Sequence, residues 1–105
     1  MTISIPAPKT VTIAGLTYDV RLTPHLAYEG HPARGLWKQA ELAIDLEARG
    51  PGQLKTVSLL HEVIHGIDAA MCGGQLSDEV TEGLAHGLHQ FLNGLGILID
   101  WGTHE

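Results

Sequence analysis

Residues 53 to 82 read QLKTVSLLHEVIHGIDAAMCGGQLSDEVTE, and this stretch decides the fold. Leu54, Val57, Leu60, Ile64, Ile67 and Met71 recur every three or four residues, which predicts a helix from Gln53 to about Cys72 with one apolar stripe. Gly73-Gly74 ends it, because glycine accepts the left-handed conformation that follows a helix. Ser77 is the expected cap of a second helix, with Asp78 and Glu79 in the first turn complementing its dipole. That helix is expected to run to about Asn93, with Val80, Leu84, Leu88, Phe91, Leu92 and Leu95 apolar. So short a connection makes the two helices antiparallel neighbours.

Upstream, Val11 to Leu22 predicts a β-hairpin turning at Ala14-Gly15. Thr23 to Gly35 has two prolines and two glycines and reads as a loop. Ala40, Leu42, Ile44 and Leu46 alternate with Gln39, Glu41, Ala43 and Asp45, predicting one strand near residues 36–47 with a buried and a wet face, Trp37 at its start. Ile97 to Trp101 is expected to form a short terminal strand. The expected class is α+β: a small antiparallel sheet packed on a two-helix hairpin, in one domain over residues 1–105.

Six Lys and Arg, twelve Asp and Glu and seven His give a formal charge of −6. Every base lies at or before Lys55, so no basic stripe is present to neutralise phosphates, and nucleic acid is not an expected partner. The later half combines acids with His61, His65, His86 and His89, which suits a divalent cation. No apolar run approaches the length of a membrane span. The start of the chain lacks a basic segment followed by an apolar one, and Cys72 has no partner for a disulfide, so the expected location is the cytoplasm.

His61-Glu62-Val63-Ile64-His65 has the spacing H-E-x-x-H. At this composition the letters arise by chance in roughly 3% of such chains, so they gain weight from context: a helix and a third ligand at the same depth. At i and i+4 the two imidazoles point from one helix face toward a shared point. Zinc takes two such nitrogens and a third protein ligand, leaving a position for water. Glu62, about 100° further round the helix, can reach that water as a general base without ligating the metal. The midpoint of the two histidines lies roughly 12 Å above the end of the first helix, and an equal climb into the second lands near residue 85. Glu82 and His86 bracket that level. The expected assignment is one zinc ion on His61, His65 and Glu82, with His86 beside the ligand or on the substrate side. Asp78 and Glu79 sit too near the turn and His89 about one turn too deep; the reverse assignment of Glu82 and His86 stays open, as does Glu79. Gly83 and Gly87 suggest close packing against the first helix, since each costs about 1 kcal/mol in a helix interior. Asp68 is expected to face water, and Cys72 to fill a small apolar space. Tyr18, Tyr28, His25 and His31 are candidates for stabilising an oxyanion, with nothing in the sequence to select one.

Leu59-Leu60-His61-Glu62-Val63-Ile64-His65, followed by Glu82-Gly83-Leu84-Ala85, resembles the gluzincin-type zinc metallopeptidases, above all the small, often phage-encoded relatives of the ImmA/IrrE peptidases. The resemblance spans roughly Gly35 to Leu92. It implies a minimal zincin-like fold, zinc on His61, His65 and Glu82, Glu62 as general base, and a strand ending at Glu47 as the sheet edge that pairs with an extended peptide substrate. Metzincins are excluded, because the positions of their glycine and third histidine hold Asp68 and Met71. The chain lacks a helix-turn-helix domain, and Glu82 is not followed by Ala-Asn-x-Phe-Ala, so cleavage of a repressor is not implied. Two other readings compete with a zinc metalloendopeptidase: a zinc-stabilised protein-binding module without turnover, and a metal-free interaction domain.

Overall fold

The computed structural model describes residues 1–102. Its strands are β1 (Ile3–Pro6), β2 (Thr10–Ile13), β3 (Leu16–Thr23), β4 (Ala27–Tyr28), β5 (His31–Pro32), β6 (Gly35–Lys38), β7 (Ala43–Glu47) and β8 (Ile97–Asp100). Two helices, α1 (Gly52–Met71) and α2 (Asp78–Gly94), separate β7 from β8. The class is α+β, with the main sheet ordered β2-β3-β7-β6.

The β2–β3 hairpin forms where expected, Val11 opposite Tyr18, and both turn residues, Ala14 and Gly15, have positive φ. That conformation matches the twist of the flanking strands. Residues 36–47 depart from expectation. They form two strands, not one: β6 and β7 are antiparallel, Trp37 opposite Ile44, and joined by a 3-10 turn at Gln39–Glu41 with Leu42 left-handed. The alternation through Ala40 and Leu42 therefore belongs to a turn, and Leu42 is exposed. Folding back places Trp37 beside Tyr18, ring centroids 6.1 Å apart, which a continuous strand would not do.

The sheet is also mixed. β3 and β7 are parallel, Val20 opposite Ile44, so the sheet is not purely antiparallel. β7 lies in the interior of the sheet and β6 at its edge, which corrects the expectation that the strand ending at Glu47 is the edge. All of β7 is buried. Ile44 and Leu46 join Ile13, Tyr18 and Leu59 in the core, with Val63, Trp37 and Trp101 packed against it.

The other face of β7 is dry as well. Asp45 is bound by Arg21 and Lys38, the latter at 2.7 Å. Glu47 accepts from the backbone N–H groups of Leu26 and Arg49, each at 2.9 Å, and from the Arg49 guanidinium. Buried carboxylates need such partners, since unpaired ones carry a large desolvation cost. Burial pushes the Asp45 carboxyl up, but Arg21 and Lys38 outweigh it and hold it below its ordinary value. Arg49 and the two N–H groups hold Glu47 well below the usual carboxylate range.

Helix α1 covers the core face of the sheet, but its apolar stripe is buried only in part, at Val57, with Leu60 and Ile64 half-buried. Leu54, Ile67 and Met71 are exposed, whereas Leu59, Glu62, Gly66 and Asp68 are buried. Gly66 is the point of closest approach: a Cβ there would lie 2.9 Å from Ile13 Cδ1 and 3.2 Å from Trp37 Nε1. Gly73 and Gly74 end the helix with positive φ, as expected. Cys72 is exposed, not an apolar filler. Ser77 caps α2 through its Oγ on the N–H of Val80. The helices meet through fully buried Thr81 and Ala85. Gly83 and Gly87 have open space at their Cβ positions and play no part in that contact. β8 pairs in parallel with β1, Ile3 opposite Ile97, a partner strand the sequence reading did not anticipate. Among the described residues, no helix is long and apolar enough to cross a membrane.

Because Asp45 and Glu47 are held below their ordinary values, their contribution to stability is present above the unfolded carboxylate pKa of about 4 and is lost as pH falls through the lower folded values. Thermal melts between neutral and acid pH are expected to show this loss. Glu47→Gln is expected to lower the melting temperature at neutral pH and to flatten the acid decline; an unchanged decline would remove Glu47 as its source.

Candidate metal centre

His61, Glu62 and His65 lie midway along α1, facing α2 and the edge strand β6. The imidazoles converge: His61 Nε2 and His65 Nε2 are 2.9 Å apart. Two ring nitrogens at that distance cannot both present lone pairs, so a proton or a cation must lie between them. The remaining nitrogen of His61, Nδ1, is 2.8 Å from Glu82 Oε1. If that nitrogen donates its proton to the carboxylate, the ring is fixed in the tautomer that turns Nε2 inward, as carboxylates beside metal-binding histidines commonly do. The Glu82 carboxyl is held below its ordinary value, chiefly by this bond.

The third group in the cluster is Asp78. Its Oδ1 lies 3.1 Å from His65 Nε2. One ligand atom from each of His61, His65 and Asp78 falls within 4.8 Å of the others, and this group can hold a metal ion. A tetrahedral zinc site with bonds of about 2.0–2.1 Å has ligand–ligand edges of roughly 3.3 Å, so small side-chain adjustments bring the three donors to that geometry. The set of two imidazoles and a carboxylate, with an exposed side toward the cleft, is of a type that zinc accepts.

Glu82, named from the sequence as the third ligand, thus stands against the outer nitrogen of His61, while Asp78 joins the inner cluster. His86 reaches Glu82 Oε2 at 3.3 Å, one helical turn further on. Glu79 borders the main cleft. His89 pairs with Asn93 at 3.4 Å and is no part of the cluster.

Glu62 is buried between α1 and β6. A Cβ on Gly35 would lie 3.0 Å from its Cγ, so a larger residue there would press the carboxylate out of its place. Burial pushes its pKa up to about 7; the positive potential of His61 opposes this, Asp78 and Glu82 add to it, and the Trp37 backbone N–H opposes it.

Asp68 is buried, contrary to the expectation that it faces water. Its carboxylate accepts from the N–H of Gln75 at 2.9 Å and of Leu76 at 3.0 Å. This draws the connection back alongside the last turn of α1, so that α2 starts about one turn lower against its partner than a plain hairpin would. Across the seam Asp78 then stands opposite His65 and Glu82 opposite His61. No local signal in the sequence marks Asp68 for this role.

A cleft of about 780 Å³ opens over the cluster, bordered by Tyr28, Leu36, Trp37, Glu62 and Asp78 among others. A smaller one of about 290 Å³ shares His61 and Glu62 and is bordered by Arg34, Leu54, Val57 and His86. Of the four oxyanion candidates, Tyr28 borders the main cleft; Tyr18 is buried in the core. Compared with known proteins, the chain matches no family model, no curated protein and no solved structure.

Two predictions follow from this arrangement. Asp68→Ala strands two backbone N–H groups and is expected to destabilise the fold by about 2 kcal/mol, read by denaturant unfolding, and to weaken metal uptake by releasing α2. In competition with a chromophoric chelator, Asp78→Ala is expected to weaken zinc binding by more than 100-fold, and Glu82→Gln by roughly 10–100-fold, the range for a residue that orients a ligand. The opposite order of effects would exchange their roles.

Proposed function

We propose that the chain is a zinc-dependent metalloendopeptidase of minimal zincin-like form, acting on an extended peptide. The observation that carries this reading is the convergence of two imidazoles and a carboxylate on one point beside Glu62, in a cleft that runs along an open sheet edge. His61, His65 and Asp78 would hold the zinc ion, whose Lewis acidity would lower the pKa of a bound water and polarise a carbonyl near neutral pH.

The chain's own residues account for the other steps. β6 offers its free edge to an extended peptide, which would pair with it and bring a scissile carbonyl over the cluster. Glu62 takes the proton from the attacking water and passes it to the leaving amine nitrogen. Tyr28, the one oxyanion candidate that borders the cleft, is assigned to donate to the oxygen that becomes negative. Glu82 holds His61 in its tautomer, and His86 steadies Glu82. The resemblance drawn from the sequence shares His61, His65 and Glu62 with this reading but differs at the third ligand, which it places at Glu82 and not at Asp78; an exposed, unpaired Cys72 is at home in a reducing cytoplasm.

One observation favours a second reading. Glu62 is 7% exposed, and a carboxylate so enclosed also suits a zinc-stabilised protein-binding module that never turns over. Digestion of a broad peptide library separates the two. The peptidase reading expects cleavage that a chelator abolishes and zinc restores. Glu62→Gln is expected to keep zinc within a few-fold of the parent affinity and to lose roughly 10²–10⁴ in kcat/KM. Chelator-sensitive cleavage at the parent rate in that variant would sink the mechanism, and the absence of any such cleavage by the parent favours the binding module.

A further inference from the structure

The metal centre uses one side of α2 and the contact with α1 a second. A third side is left over. Val80, Leu84, Leu88, Phe91 and Leu95 are 44–61% exposed. Their intervals of four, four, three and four residues hold them within about 80° of the helix circumference. Beside them lie Gly83, Gly87 and Gly94, where an added Cβ would meet nothing within 4 Å. An apolar stripe flanked by glycines is costly on a free helix: the glycines weaken it and the large side chains stay in water.

The stripe is palindromic. Reversed about the midpoint between Gly87 and Leu88, Val80 exchanges with Leu95, Leu84 with Phe91, and Gly87 with Leu88. A twofold axis at that point lays the α2 helix of a second copy antiparallel on the first, Val80 opposite Leu95, Leu84 opposite Phe91, and Leu88 opposite Gly87, which leaves room for it. That self-complementarity is what a twofold interface requires of a single surface.

Charge selects the same direction. The chain carries a net charge of −6, and the first turn of α2 holds Asp78 and Glu79. A parallel pair would stack these acids on their copies. An antiparallel pair sets each acidic turn just past the copy's uncharged last turn and separates the two acidic turns by about 27 Å along the helix, well beyond the ~8 Å screening length at physiological salt. The five side chains present on the order of 400–500 Å², the size at which a contiguous apolar patch marks an interaction site. That is about half of one partner's share of a standard interface. Ile67 and Met71 of α1, also exposed, and the rim around the stripe are available to supply more. Asp78, Glu82 and His86 point away from the stripe, so a partner there leaves the cleft open.

We infer that the chain forms an antiparallel twofold dimer through this face of α2. The inference is independent of the metal centre and of any catalytic activity. Sedimentation equilibrium of the parent chain across roughly 1–100 µM is expected to give twice the chain mass at the upper end. Leu84→Asp and Phe91→Asp are each expected to shift it to the monomer, with the circular dichroism spectrum and zinc uptake unchanged. In a Cys72→Ser background, Gly87→Cys sits near the axis and is expected to cross-link to its copy on oxidation. Val80→Cys is expected to cross-link only when mixed with Leu95→Cys. A parent chain that stays monomeric throughout the range overturns the inference and leaves the face to a different protein. So does a dimer that both aspartates leave intact. Cross-linking of Val80→Cys alone, as readily as Gly87→Cys, overturns the antiparallel arrangement.

Discussion

The close approach of α1 to the edge strand β6 governs the rest of the structure. Two glycines make it possible, one from each element. Gly35 on β6 leaves room for the Glu62 side chain, and Gly66 on α1 leaves room for the Trp37 indole. The contact is reciprocal, each glycine receiving a large side chain from the other element. A helix held off by even one methyl group at either point would carry the H-E-x-x-H turn away from the strand. The apolar core alone does not impose this spacing, because Leu59 and Val63 would pack on a sheet at several separations; the glycine pair narrows them to one.

Charge is divided between two halves of the molecule for structural reasons. In the sheet half, acids and bases answer each other. Arg21 and Lys38 hold Asp45, Arg49 holds Glu47, and Lys55 and Arg34 bind the carbonyls of Gly50 and Arg49. Beyond Lys55, in the first turns of α1, the helical half carries no lysine or arginine. Its carboxylates find backbone N–H groups, as Asp68 does, or imidazoles, as Asp78 and Glu82 do. Facing a cleft with no lysine or arginine on its main border, these acids and the ring nitrogens of His61 and His65 favour a divalent cation over an anion.

What was legible in the sequence was local. The α1 periodicity, the Gly73-Gly74 stop, the Ser77 cap and the Ala14-Gly15 hairpin each depend on a few neighbouring residues, and each appears within a residue or two of its expected place. The approach of the two histidines follows from helix spacing alone. What escaped was set by distant partners. The alternation through residues 39–46 is a fair strand pattern, yet the pairing of Trp37 with Ile44 and its contact with Tyr18 turn the chain back at Gln39–Glu41. The buried face of α1 was misjudged because Leu54, Ile67 and Met71 are apolar, whereas the sheet side of the helix accommodates Glu62 and Gly66, and Asp68 is buried against the connection to α2. The level of the second helix was misplaced for a similar reason. Equal climbs from a plain turn lead to residue 85, but Asp68 binds Gln75 and Leu76 and draws α2 back along α1, so that position 80 faces the middle of the motif.

That shift explains why carboxylates of two lengths occur at consecutive turns of α2. With α2 drawn back, two of its acids face the two histidines in order, and the small side chains of Thr81 and Ala85 in the seam keep the helix axes close. At the level of His65, the short Asp78 side chain reaches only the inner nitrogen. At the level of His61, the longer Glu82 passes around the ring to the outer nitrogen, Nδ1. A glutamate at 78 would overreach the cluster, and an aspartate at 82 would fall short of that nitrogen. The difference of one methylene between neighbouring turns therefore separates a group that joins the inner donors from one that orients a donor, and it does so only in the register that Asp68 sets.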